Sequence, residues 1–598
     1  MKNLNTISRL LRYLLPYKWK LILLIFISVV GVVFTVAKPL PVKVIIDNVL
    51  LKNKLPQFIS EFMQVNNIGQ SESDLLNYSL FFMLIIIVGG IILNYISFLF
   101  VTKIGIGLVY DLSLDLYKKF QVLSMKFYSK KQTGDLLQRF NGDIFVVYLL
   151  VAQIVLPIIS SLLILVGMFY VMALIDLTLA MVAISVVPLL VYVLFIVNKP
   201  MNDTTVDQFT KQGELSAFVQ QALVSMRVIQ TFVREKFMLE KLEFLISGFK
   251  RAYFKAVTIG ESYNQSVALI TGIASVVLVA IGAYKGLDGK VSPGDLYVFL
   301  GYITAIYGPV TSLSTAAGAT ITIAARASRI YEILDSKEEV FEKENPIHLT
   351  SESCLIEFKN VDFGYNRFRE DENHVLNSIN FKAFPGKVTA IIGTTGAGKT
   401  SLISLLGRFY DPWAGEVKIN GVNINEFSLN SLRSNISMVL QDPILFPVSI
   451  AENIRFGNPE ATTDQVINAA KLSEAHGFIM KLPKGYDTMV SEAGLSLSGG
   501  EKQRLSLART FVMDNPIVVL DEPTSSVDAI TEGRIFKRLK EFCFNKTVII
   551  ISHRLSTIKN ADQILVLNDG LISELGSHDQ LIKQNGLYFN LYTQQNIN

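Results

Sequence analysis

Six apolar stretches dominate the first 330 residues of this 598-residue chain, at roughly 20–46, 78–101, 144–172, 177–198, 262–284 and 294–318. A helix needs about 20 apolar residues to cross the hydrocarbon core of a bilayer, where each backbone polar group must be bonded within its own segment. Each stretch therefore predicts a membrane-spanning helix. After residue 330 no such run occurs; short β-rich runs, Gly turns and charged helices follow, and the shift near Leu334-Asp335-Ser336 predicts a domain boundary. The length also exceeds what one ordinary core accommodates. The apolar run after Lys20 is far longer than that of a secretory leader, so it reads as a retained first span.

Lysine and arginine set the orientation. Residues 1–20 carry Lys2, Arg9, Arg12, Lys18 and Lys20 with no acid. Between spans two and three stand Lys103, Lys118, Lys119, Lys126, Lys130, Lys131 and Arg139, whereas the 48–77 loop sets Lys52 and Lys54 against Glu61, Glu72 and Asp74. The N-terminus, the two long loops and the C-terminal part are therefore predicted to be cytoplasmic. Both long loops read as helix, so the spans are expected to continue beyond the bilayer. Residues 1–19 are read as an interfacial amphipathic helix or as a plain extension of span one, with Pro16 favouring a break. The net charge of +4 gives no reason to expect a nucleic-acid partner. Two cysteines, Cys354 and Cys543, are too few for a disulfide framework or metal cluster and read as reduced, buried thiols.

A charge embedded in the membrane would point to a substrate contact. Lys38 lies about 27 Å along a helix from Lys20, which puts Lys38, Lys43 and Asp47 at or beyond the outer boundary, where charge is cheap. Glu261 falls near the inner interface and, with Tyr263, Asn264 and Gln265, is a candidate to line an inward-facing cavity.

The C-terminal part carries three chemical motifs. Gly393-Thr394-Thr395-Gly396-Ala397-Gly398-Lys399-Thr400 fits G-x-x-x-x-G-K-[ST], with Ser401 directly after it. It follows the apolar strand 388–392 and opens a helical run, the context in which backbone N–H groups wrap phosphates, Lys399 reaches the β- and γ-phosphates and Thr400 takes Mg²⁺. Ile517-Val518-Val519-Leu520-Asp521-Glu522 reads as a buried parallel strand ending in two carboxylates. Asp521 suits Mg²⁺ and Glu522 suits an attacking water. Leu497-Ser498-Gly499-Gly500-Glu501-Lys502-Gln503 starts a helix with Ser-Gly-Gly, a second end able to receive an anion.

These motifs, with Ser552-His553, stand in an order and spacing that resembles the ATP-binding cassette family, and the six spans resemble its exporter half-transporters, such as the bacterial lipid A flippase and multidrug exporters. The resemblance covers essentially the whole chain. It implies that Tyr365 stacks on adenine, that Gln441 touches Mg²⁺ and the attacking water, and that Ser498, Gly499 and Gly500 grip ATP bound to the other subunit. It further implies that Asp528 communicates between the two sites and that His553 contacts the γ-phosphate beside the base Glu522. Segments around Phe127–Asp143 and Arg227–Glu235 resemble the two cytoplasmic coupling segments of such exporters. One departure is Ser491-Glu492-Ala493-Gly494, where exporters usually carry Gly-Glu-Arg-Gly.

The expected architecture is an α-helical six-span transmembrane domain (20–330), a linker (331–350) and an α/β P-loop nucleotide-binding domain (351–598). The expected function is ATP-driven export or flipping of a lipid, drug or other amphipathic substrate across the bacterial cytoplasmic membrane, with ATP and Mg²⁺ as ligands and a second copy as partner. A heterodimer, an importer of the same architecture and an ATP-gated channel stand as alternatives. No peptidase domain precedes span one, which argues against export coupled to peptide processing.

Overall fold

The computed structural model describes residues 8–53, 71–131, 133–365, 374–491 and 497–597. The chain forms two compact units, one of Met1–Gln121 with Thr133–Ser336 and one of Val122–Gln132 with Lys337–Asn598.

The first unit is helical. Its long elements are α1 (Lys18–Ala37), α2 (Glu72–Val122), α4 (Thr133–Asn141), α5 (Leu156–Ile175), α6 (Leu177–Val224), α8 (Glu235–Leu287) and α9 (Pro293–Leu334); α3 (Met125–Lys130) belongs to the second unit, and α7 (Met226–Thr231) links α6 to α8. Six helical stretches among the described residues are long and apolar enough to cross a membrane, and each overlaps one of the predicted spans. Four of the helices far outrun the bilayer: α2, α6, α8 and α9 extend about 76, 72, 80 and 63 Å at 1.5 Å per residue, against a core of about 30 Å. Pro16 does not end the helix that precedes span one. Residues Arg12–Tyr17 tighten into a 3₁₀ turn that runs into α1; the ring lacks the N–H that an α-turn would use, and the tighter winding absorbs the loss.

Charges near the start of α9, which the sequence places at the outer boundary, are largely partnered rather than solvated. Asp47 is only 5% exposed and accepts bonds from Ser292 Oγ (2.6 Å) and Gly294 N–H (2.9 Å) at the start of α9. Ser292 caps α9 reciprocally with Asp295, and Asp295 pairs with Lys43. The free N–H groups of a helix start attract a carboxylate, which explains why Asp47 is held there instead of facing water. A Cβ on Gly294 would lie within 2.6 Å of that carboxylate, so glycine is required. Lys38 alone of the three remains exposed. Nearby, Asp176 caps α6 by accepting from Leu179 N–H and pairs with Lys285 of α8 at 2.7 Å. At the other end, the buried Arg139 of α4 donates to Glu332 (2.7 Å) and to the carbonyl of Arg329 (2.8 Å), fastening α4 to the last turns of α9.

The second unit is α/β. An antiparallel sheet runs β2-β1-β4-β5, with β1 (Ile356–Phe363), β2 (Leu376–Ala383), β4 (Ala414–Ile419) and β5 (Val422–Asn423). A second sheet runs β10-β9-β3-β8-β7-β6, built from β3 (Val388–Gly393), β6 (Ile436–Val439), β7 (Ile517–Asp521), β8 (Thr547–Ile551), β9 (Gln563–Asn568) and β10 (Leu571–Gly576). It is parallel except for β10. Its strands read as continuous apolar runs because both faces are covered. Val519, Ile549 and Leu565 point into one core, while Val518, Leu520 and Ile550 point into the other. Both cysteines are buried and free, and burial pushes Cys354 up to about 11 and Cys543 to about 12, leaving inert thiols at neutral pH. Within this unit α3 buries Phe127, and Glu338 receives both Ser124 N–H (2.8 Å) and Lys130 Nζ (2.5 Å).

Asp47→Ala strands the hydroxyl of Ser292 and the N–H of Gly294. It should destabilise the membrane unit by about 2 kcal/mol, seen as a lowered thermal midpoint in detergent, with Asp47→Asn retaining much of the loss.

Candidate ATP site

The phosphate loop grows from β3, which is flanked by β8 and β9 and delivers Gly393 to the C-terminal edge of the sheet. Gly393 has φ +154°, and a Cβ there would lie 2.2 Å from the carbonyl oxygen of Leu567. Gly398 has φ +97°, and its Cβ would meet the Val375 carbonyl at 2.8 Å. No side chain fits at either position, so bare backbone lines the loop. Helix α10 (Lys399–Leu406) starts directly from it. The ammonium of Lys399 donates to the carbonyls of Gly393 and Thr394, 2.9 Å each, which holds it across the loop. Burial lowers its pKa, against the opposing pull of Glu522 and Asp521. Among the predicted loop residues, Ala397 and Ser401 are buried, while Thr394, Thr395 and Gly396 are exposed.

Strand β7, separated from β3 by β8, delivers the two carboxylates to the same edge. Asp521 is 2% exposed and accepts a bond from Thr400 Oγ1 at 3.1 Å; burial pushes its carboxyl upward. Glu522 turns the chain at φ +47°, its N–H bonded to Ile551 O at 3.0 Å, and its carboxylate lies 3.4 Å from Nε2 of His553. Burial, reinforced by Lys399, lowers the His553 pKa, so its imidazole is neutral at pH 7. The adjacent Thr400 hydroxyl and Asp521 carboxylate are hard oxygen donors that fit Mg²⁺, which takes one or two such groups and completes its shell with phosphate oxygens and water. Among the described residues no cluster of three or more His, Cys, Asp or Glu could hold a metal by itself.

Tyr365, 43% exposed, bonds Ser401 Oγ at 2.8 Å and stands edge-on to Phe363 and Tyr410, which leaves a ring face for a flat ligand. Gln441 is exposed two residues beyond β6, the strand next to β7. Ser498 caps α11 (Gly499–Met513), its N–H bonded to Glu501 Oε2 at 2.8 Å and its hydroxyl accepting Glu501 N–H. Gly500 packs on the next loop so closely that a Cβ would lie 2.7 Å from Ser526 O. Asp528 caps α12 (Ala529–Phe542), where the Thr531 N–H holds its carboxyl below the usual range. Glu492, in the departing Ser491–Gly494 stretch, lies outside the described residues.

One residue carries a connection that the motif reading left unassigned. Gln503 donates to Ser525 Oγ (2.5 Å) and to the carbonyl of Glu522 (3.4 Å), and accepts the Ser526 N–H (2.8 Å). It therefore ties the Ser-Gly-Gly helix to the backbone of Glu522 and to the loop before Asp528. Its only sequence signal is its place one turn beyond Gly499 (i, i+4), which needs the fold to become meaningful.

Residues 21–310 match the ABC transporter transmembrane region, and residues 376–525 match the ABC transporter family. An uncharacterized ABC transporter ATP-binding protein, YfiC, of Bacillus subtilis (strain 168) is 32% identical over 99% of this chain and 94% of its own length. The chain belongs to the ABC transporter family. The transporter is also similar to an ATP-dependent lipid A-core flippase of Syntrophus aciditrophicus (strain SB), 32% identical over 84% of this chain and 83% of the flippase. The putative multidrug export ATP-binding/permease protein YgaD of B. subtilis is 30% identical along the full length of both. A solved bacterial Atm1-family ABC exporter with ATP bound superposes with a TM-score of 0.83 and 27% identity, covering 97% of this chain and 98% of that one. The transporter is thus a multi-pass membrane protein whose ATPase drives export, and import by the same architecture is not favoured.

Gln503→Ala breaks this tie without touching the phosphate loop. It should lower ATPase kcat roughly tenfold, the scale of one or two lost hydrogen bonds, with ATP KM nearly unchanged; a raised KM at constant kcat would contradict this placement.

Proposed function

We propose that the transporter exports or flips an amphipathic molecule, a lipid or a drug-like compound, by alternating access of a homodimer in the bacterial cytoplasmic membrane. Each cassette contributes its phosphate loop (Gly393–Ser401) to one ATP and its Ser498–Gly500 end to the other. Thr400 and Asp521, with Gln441, would hold Mg²⁺, which when bound would supply neutralisation of phosphate charge. Glu522 takes the proton of the attacking water, His553 steadies charge developing on the γ-phosphate, and Tyr365 covers the adenine. Asp528 and Gln503 connect the two kinds of half-site. Only the closed dimer offers both, so ATP shifts the population toward closure and hydrolysis releases it.

The observation that carries the catalytic part is the convergence of Lys399, Asp521, Glu522 and His553 on one sheet edge, with Glu522 and His553 3.4 Å apart. A second copy is supported by the exposed tip between α6 and α8, where Phe232 (70%) and Val233 (80%) of the second coupling segment, and Val224 (83%) at the end of α6, are exposed. An amphipathic cargo is supported by an apolar pocket of about 180 Å³ lined by Val166, Phe169, Met172, Ile184, Val187 and Ile306. Toward the inner side, Glu261 accepts from Gln265 (2.6 Å) and lies near the Asn264 amide (3.4 Å), which also meets Tyr307 of α9. That carboxylate has no cationic partner among the described residues, so it suits the polar end of a cargo.

Glu522→Gln should reduce ATPase activity by at least about a hundredfold while an ATP-bound closed dimer accumulates on gel filtration; undiminished turnover would remove Glu522 as the base. Tyr365→Ala should raise ATP KM with little change in kcat. In liposomes, a panel of lipids, hydrophobic drugs and peptides should stimulate ATP hydrolysis in its first two classes, and stimulation by peptides alone would overturn the cargo assignment.

A further inference from the structure

The helical segment before span one and α2 border an open groove of about 420 Å³ whose lining includes Arg12, Tyr13, Asp111, Asp115 and Lys118. Its two carboxylates stand one turn apart on α2, each held by a phenol: Tyr17 donates to Asp111 and Tyr13 to Asp115, both at 3.0 Å. Like charges at this spacing repel. Among the described residues neither aspartate is in an ion pair, and neither are Arg12 and Lys118. The groove therefore gathers two positive and two negative groups, none of them in a direct ion pair.

Its depth is marked by the start of span one. Arg12–Tyr17 directly precede Lys18, Trp19 and Lys20, at the end that the lysine and arginine bias assigns to the cytoplasm, so they flank the headgroup layer. Trp19, 74% exposed, with Lys18 5.8 Å from its ring and Lys20 5.3 Å from that of Tyr17, forms the aromatic and basic belt typical of that layer. Gly107 keeps α2 flush against it, since a Cβ there would lie 2.6 Å from the Tyr17 hydroxyl.

We propose that this groove binds the headgroup of a zwitterionic aminophospholipid, with the ammonium between Asp111 and Asp115 and the phosphate against Arg12 and Lys118. A purely anionic headgroup satisfies the cations and is repelled by the carboxylates. A quaternary ammonium carries the charge and has no N–H to donate to them. A primary ammonium joined to a phosphate meets all four groups, with charge-assisted hydrogen bonds on both sides.

The test uses the full-length transporter in nanodiscs of phosphatidylethanolamine and phosphatidylglycerol, with bound lipid identified by native mass spectrometry. Phosphatidylethanolamine should be retained above its bulk proportion. Asp111→Asn combined with Asp115→Asn, whose amide oxygens still accept from the two tyrosines, should cut that enrichment about tenfold, the scale of a lost charge-assisted hydrogen bond. Arg12→Gln combined with Lys118→Gln, on the opposite charges, should lower retention of both lipids. Binding at bulk proportion, equal retention of phosphatidylcholine in its place, or an unchanged preference in the aspartate pair variant overturns the assignment.

Discussion

The cassette depends on where its buried parallel strands end. β3 and β7 lie on either side of β8 and stop at one edge, so a bare glycine loop and two carboxylates arrive together without any long-range search by flexible loops. The apolar residues that hold the strands in register, Ile391, Val519 and Ile549 on one face and Val518 and Ile550 on the other, are what bring Lys399 within electrostatic reach of Asp521 and Glu522. A cavity in this core would displace catalytic groups as well as weaken the fold, because the same strands serve both. The burial that raises Asp521 and lowers Lys399 also keeps water from screening their charges.

Much of this was legible in the sequence because its physics is local. Twenty apolar residues in a row mean a span wherever they occur, and glycines before a Lys-Thr pair at the end of an apolar strand mean a phosphate loop. The less legible part was pairing between distant segments. Asp47 and Lys43 read as harmless boundary charges, whereas both are engaged by residues near 292–295, about 245 positions away. Pro16 reads as a break, and the chain absorbs it by tightening one turn. Gln503 carries no residue-type signal, since an amide on a helix becomes a connector only when a loop passes beside it.

The membrane unit shows how charge is managed at the two ends of long helices. At the outer end of α9, Asp47 serves the helix start and Lys43 serves Asp295. At its inner end, Arg139 collects the carbonyl of Arg329 and the carboxylate of Glu332, near the negative pole of the same helix. Each end is thus neutralised by a different neighbour, which lets α9 behave as one stiff element about 60 Å long. The sulfur chemistry is silent by comparison, with both thiols buried and held protonated.

The cap at Ser498 has a consequence for the proposed half-site. Its N–H and hydroxyl are both engaged with Glu501, so the helix start is already satisfied and carries a negative charge one turn in. If this end receives the phosphate of a second copy's ATP, as proposed, it does so from a helix start that its own cap has already ordered, and with Glu501 opposing part of the attraction of the helix N-terminus.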